Sequence, residues 1–150
     1  MKNLGLFISM VVLISFNACG QKNSVPEDVK NAFNQKFINV TKVKWGKENA
    51  TEWEVEFKMN GKEYSANFNT DGTWLETEYE ISVNELPEIV KSTIQNEFNG
   101  YKIKESEISE TKDGKFYEFE LKKGEQKMEA AIDKDGKVVR KELAKDEDKN

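Results

Sequence analysis

Residues 52–72 read EWEVEFKMNGKEYSANFNTDG, and residues 116–136 read FYEFELKKGEQKMEAAIDKDG, the same plan displaced by 64 positions. In the first stretch Trp53, Val55, Phe57 and Met59 alternate with Glu52, Glu54, Glu56 and Lys58. A period of two belongs to a strand with one dry face and one wet face. Asn60-Gly61 is a two-residue hairpin signal. Tyr64, Ala66 and Phe68 then return on the dry side, and Asp71-Gly72 turns the chain toward a further strand from Trp74 to Tyr79. The second stretch sets Tyr117, Phe119 and Leu121 against Glu118, Glu120 and Lys122. It turns at Lys123-Gly124, returns along Met128, Ala130 and Ile132, and passes through Asp135-Gly136 into residues 138–143.

A helical pattern stands upstream of each stretch. Val25-Pro26-Glu27 leads into Val29, Phe33 and Phe37, and Leu86-Pro87-Glu88 leads into Val90, Ile94 and Phe98, one apolar stripe each. Ser24 with Glu27 predicts a capping box at the first helix start. Helices of about three turns hold only when docked on another element. The helical positions are offset by 61 residues and the strands by 64, which puts three added residues before the Tyr117 strand. With a short strand from Val40 to Trp45, the reading is α+β: two tandem αββββ repeats forming an antiparallel sheet of about eight strands. Residues 25–80 would be the first repeat and 81–143 the second, with both helices on one face. The other face would have no helix to cover it, which makes it the place to look for function.

The start of the chain obeys a different logic. Lys2 precedes an apolar run from Leu4 to Phe16 that closes at Ala18-Cys19, the layout of an export signal. The run is too short for a spanning helix of about 20 residues. Residues 1–18 are therefore expected to be a signal peptide, and residues 19–24 a tether. Cys19 is the sole cysteine, so no intramolecular disulfide can form. Its place directly after the apolar run makes it the candidate lipid-attachment residue, in a segment Phe16-Asn17-Ala18-Cys19-Gly20 that resembles a bacterial lipobox. Residues 144–150 are a polar tail with nothing to bury.

The order of these motifs resembles the PepSY-like, β-lactamase-inhibitor-like secreted lipoproteins of Bacteroidetes-type bacteria. Val/Leu-Pro-Glu opens each helix, an aromatic ends it, a Trp-Glu-Val-Glu-Phe type of strand comes next, and the last hairpin closes at Asp-Gly. The resemblance spans about residues 24–143, and it implies a non-catalytic binding or inhibitory module outside the cytoplasm.

The remaining chemistry is sparse. The chain of 150 residues has no histidine and no phosphate-cradling glycine loop, and its formal net charge is −5. An enzyme would need a buried carboxylate pair with separated pKa values. Strand phase puts no carboxylate on the dry side, so no enzymatic activity, cofactor or metal is expected. A mildly acidic surface disfavours nucleic acid and anionic lipid, leaving the lipid anchor as the membrane contact. Asn67 to Gly72, with Glu78 beyond, copies the spacing of a calcium loop, but strands flank it and a hairpin turn accounts for Asp71-Gly72.

The candidate partner-binding face comprises Glu52, Glu54, Glu56, Trp74, Phe116, Glu118 and Glu120. The strand of Trp74 alternates ambiguously, and Trp74 stands on the open face if Leu75, Thr77 and Tyr79 are the dry set; Phe116 is included because it is out of phase with Tyr117 and Phe119. An envelope protein or peptide is the expected partner, and a scaffolding lipoprotein with no specific ligand is the alternative. A contiguous apolar patch on the helix-free face would favour binding, and a salt-bridged Glu/Lys surface would favour scaffolding.

Overall fold

The computed structural model describes residues 24–143. The expected signal peptide, Cys19 and the polar tail lie outside the described residues. The chain runs α1 (Glu27–Lys36), β1 (Thr41–Lys47), β2 (Glu52–Met59), β3 (Lys62–Asn69) and β4 (Trp74–Glu80). A 3-10 turn at Val83–Glu85 then leads into α2 (Glu88–Glu97), β5 (Lys102–Thr111), β6 (Gly114–Lys123), β7 (Gln126–Asp133) and β8 (Val138–Leu143). All eight strands form one antiparallel meander in chain order. A helix and then four strands thus occur twice, and β4 pairs with β5 to make the sheet continuous. Among the described residues no helix is long and apolar enough to cross a membrane.

Both helices lie on the same side. Val29, Phe33 and Phe37 pack on Trp53, Val55, Phe57, Ala66 and Phe68. Leu86, Val90, Ile94 and Phe98 pack on Ile108, Tyr117, Phe119, Leu121, Met128 and Ile132. Register carries one face across the sheet, since Val55 opposes Ala66, Ala66 opposes Thr77, Tyr79 opposes Ile108, and Ile108 opposes Tyr117. Tyr64 and Tyr79, with ring centroids 5.0 Å apart, bridge the two clusters along that face. Phe33 is ringed by Trp45, Phe57 and Phe68 in edge-to-face contacts of 5.2 to 6.4 Å, a favoured geometry for aromatic pairs.

The Asp-Gly turns do more than reverse the chain. Gly72 (φ +84°) closes on the first turn of α1, where an added Cβ would stand 2.7 Å from the Asp28 carbonyl oxygen. Gly136 (φ +80°) closes on α2 in the same way, with Ile89 Cγ1 2.5 Å from such a Cβ. The Thr93 hydroxyl donates to the Gly136 carbonyl at 2.6 Å, tying α2 to its turn. Positive φ and close approach together demand glycine at both turns.

One expectation needs correction, the capping box of Ser24 with Glu27. The first helix starts at Glu27 with Pro26 as its cap and no side-chain capping bond. The start falls after proline, leaving Ser24 too far upstream for its hydroxyl to reach the first-turn amides. The capping box occurs instead at Ser82 and Glu85, where Ser82 Oγ accepts from Asn84 N–H at 3.3 Å and Ser82 N–H donates to Glu85 at 3.1 Å.

Candidate functional site

The helix-free face is built by the alternate residues of the same strands. In register it carries Glu54, Asn67 and Glu76 in one row, and Glu56, Ser65, Glu78, Ser109 and Phe116 in the next. A third row runs Glu80, Glu107, Glu118, Ala131 and Arg140, and a fourth runs Glu105, Glu120, Glu129 and Glu142. Six of the seven expected face residues therefore stand on the helix-free side: Glu52, Glu54, Glu56, Phe116, Glu118 and Glu120.

Trp74 does not. A β-bulge between Asn67 and Phe68 sets Trp74 opposite Phe68, on the helix-covered side. There it packs against the first core cluster, the Lys36 ammonium of α1 sits 3.6 Å from its ring centroid, and its Nε1–H donates to Thr77 Oγ1 at 3.0 Å. A bulge adds one residue and reverses the phase of the strand beyond it. Phe116 stands on the expected face but is only 6% exposed, so it is packed rather than presented.

The centre of this face is also drier than alternation implies. Asn67, Glu76, Glu78, Ser109 and Glu118 are all buried although no helix covers them, so the buried carboxylates stay off the helix-covered side, but those of the open face are not all wet. Arg140 on β8 donates to Glu118 at 3.1 Å, an ion pair with both side chains largely out of solvent. Burial pushes the Glu118 carboxyl up to about 7; Arg140 opposes this, and Glu107 and Glu129 add to it. Burial likewise raises Glu107, with help from Glu105 and Glu80, and raises Glu54, with help from Glu48 and Glu56. The oxygens Asn67 Oδ1, Ser109 Oγ and Glu118 Oε1 are buried without a hydrogen-bond partner.

At its margins the face is salt-bridged: Lys44 with Glu56 at 3.6 Å, Lys58 with Glu63 at 2.7 Å and Lys127 with Glu120 at 3.8 Å. The exposed large apolar residues Ile38, Val43, Val83, Ile89, Val139 and Leu143 are spread over helices, connections and outer strands. They form no patch at the centre of the face. Between the first four strands and β5 lies an open cleft of about 1240 Å³, lined by Glu54, Glu78, Glu80, Glu105 and Glu107 among others. Among the described residues no group of three or more carboxylates is placed to hold a metal ion.

The chain is thus a helix-backed antiparallel meander with a polar, uncovered face. Residues 51–140 match the family described as "Putative beta-lactamase-inhibitor-like, PepSY-like", and the chain belongs to that family. Solved structures share the fold. A BLIP-like protein from Bacteroides fragilis superposes with a TM-score of 0.74 at 19% identity, covering 85% of this chain and 92% of that one. A DUF2874 family protein from Bacteroides ovatus gives 0.74 at 16% identity, covering 81% and 89%. A structure described as "putative periplasmic proteins" from Bacteroides eggerthii gives 0.72 at 17% identity, covering 80% and 89%. None of the curated proteins matches this sequence.

Proposed function

We propose that this chain is an exported, non-catalytic binding module that holds a protein or peptide partner on its helix-free sheet face. The observation that carries the reading is the third row, in which Glu80, Glu107 and Glu118 stand on successive strands. Like charges directly opposite one another are destabilising, and fold stability gives no reason to keep them there. The family's inhibitor-like description and the periplasmic description of one structural relative support a binding role outside the cytoplasm. In the same reading Cys19 carries the lipid, residues 1–18 are removed, and the αββββ unit is an internal duplication. The two glycine turns, each closed on its own helix, support the duplication.

The test is recovery of partners from envelope extract with the full chain. Glu54→Arg and Glu107→Arg on the helix-free face should abolish recovery, and Glu27→Arg on α1 should leave it unchanged. Equal recovery by all variants would reject the face. Cys19→Ser should release the protein from the membrane fraction; retention would reject the anchor.

A scaffolding role without a specific ligand is favoured by one observation, the salt-bridged margins at Lys44–Glu56, Lys58–Glu63 and Lys127–Glu120. Exposed pairs of this kind are worth about 0–1 kcal/mol each. They explain the margins but not the stacked carboxylates at the centre.

A further inference from the structure

The cleft between the first four strands and β5 holds more negative charge than its own lysines neutralise. Nine carboxylates and five lysines line it among the described residues, an excess of four. Three of those lysines are already engaged, Lys44 with Glu56, Lys58 with Glu63 and Lys62 with Glu85. The excess is therefore concentrated away from the rim, along Glu54, Glu80, Glu105 and Glu107.

A second observation, independent of the charge excess, points the same way. Asn67, Ser109 and Glu118 are 4%, 0% and 4% exposed, and each holds a side-chain oxygen with no partner. Each stands in register beside a carboxylate of the cleft: Asn67 beside Glu54, Ser109 beside Glu78, and Glu118 beside Glu107. Asn67 Oδ1 and Glu118 Oε1 are acceptors, and Ser109 Oγ both accepts and donates. Buried acceptors without donors deepen the negative potential of the surface above them, because low polarisability leaves their dipoles unscreened. Any hydrogen-bond donor can meet them, and beside the carboxylate excess a charged N–H donor is the favoured one.

We infer that this cleft docks a cationic peptide segment, a lysine- and arginine-bearing loop or terminus of a partner protein, with the Glu80–Glu107 pair as its main anchor. The inference rests on the binding reading above and names the chemistry of the partner. A point cation fits poorly, because the carboxylates are spread over successive strands about 4.8 Å apart and no ligating cluster is present among the described residues. Guanidinium groups suit such a spread, since each can engage a carboxylate through two parallel hydrogen bonds. The volume of about 1240 Å³ also exceeds the usual range of small-ligand pockets, roughly 300–1,000 Å³.

The experiment titrates the full chain into a fluorescent octa-arginine peptide, with octa-glutamate and a glycine-serine octamer as controls, and reads anisotropy. Binding is expected for octa-arginine alone, weakening about tenfold or more between low and physiological salt. Glu80→Gln with Glu107→Gln should weaken it by at least about fivefold, since each removed carboxylate takes away a charge-assisted contact. Glu27→Gln with Glu88→Gln on the helices should leave it unchanged. Far-UV circular dichroism checks that the variants fold, and Glu54→Gln provides a second variant in the same cleft. No octa-arginine binding, or equal loss with the helix variants, would overturn the inference. A photo-crosslinker in place of Glu56 distinguishes a wrong occupant from a wrong face. An envelope adduct that octa-arginine does not compete away overturns the cationic occupant and leaves the docking face standing. Absence of both adduct and peptide binding overturns both.

Discussion

The two faces of this sheet bury residues by opposite means. On the covered face Phe68, Val55, Leu121 and Ile132 are removed from water by helices whose apolar stripes match the strand period. On the helix-free face Asn67, Ser109 and Glu118 are removed from water with no helix over them. The first kind of burial stabilises, at about 25 cal/mol per Å² of apolar surface. The second costs free energy for each charge or oxygen left imperfectly paired. A protein selected for stability alone would put valine or threonine at Glu107 and Glu118. The contrast separates a covered face built for stability from a helix-free face whose chemistry stability alone does not explain.

The sharpest way to break that comparison is to empty each face in turn. Phe68→Ala should cost about 3–5 kcal/mol, as core phenylalanine truncations do. Phe116→Ala, also buried but on the helix-free side, should cost at least about 1 kcal/mol less, because water can enter there and relieve the cavity. Chemical denaturation of both variants measures the difference. Equal losses would mean that the two faces are packed alike.

Removing one partner of the Arg140–Glu118 pair comes next. Burial raises the Glu118 carboxyl and Arg140 opposes it, so Arg140→Met raises it further. The variant should destabilise most on the alkaline side of neutral, by up to about 3 kcal/mol, where Glu118 would be left buried and charged. The loss should shrink by pH 5, where that carboxyl takes a proton. A loss independent of pH would assign Arg140 a packing role only.

The Glu118 carboxyl also gives the wild-type chain a pH signature. Its value is raised from 4.5 to about 7 in the folded state, chiefly by burial. The folded state then binds the proton more tightly than the unfolded state. The resulting stability is complete below about pH 4.5 and is lost as pH rises toward 7, a change on the order of 2–3 kcal/mol. The raised Glu54 and Glu107 carboxyls act in the same direction. Denaturation midpoints from pH 4.5 to 8 should therefore slope downward, and Glu118→Gln should flatten the slope.

The smallest effect sharpens the scaffold side. Gly72→Ala should cost about 1–3 kcal/mol, from positive φ together with collision against Asp28. Gly61→Ala, at φ +83° but with nothing within 4 Å, should cost about 1 kcal/mol from backbone strain alone. Thermal melts of the two variants read the difference.

Much of the covered face was legible in the sequence, because its signals are local. The alternation around Trp53 and Tyr117, the Phe33 and Ile94 stripes and the Asn-Gly and Asp-Gly turns each mark an element within ten residues. Strand β5 was not legible. Its only aliphatic residues, Ile103 and Ile108, are five apart, and a bulge between Ile103 and Glu105 breaks their phase. Trp74 failed for a related reason, since a bulge is a property of two strands in register and one strand's alternation cannot show it. The burial of Glu118 was hidden more deeply still. Its neighbours Glu107, Ala131 and Arg140 come from three other strands, and alternation alone marks every such glutamate as wet.

The most direct test of the account is backbone amide chemical-shift mapping of the isotopically labelled chain while octa-arginine is added. Shifts should concentrate on β2, β4, β5 and β6, around Glu54, Glu80, Glu107 and Glu118, with α1 and α2 unmoved. Shifts centred on the helices, or scattered evenly over the acidic surface, would contradict it.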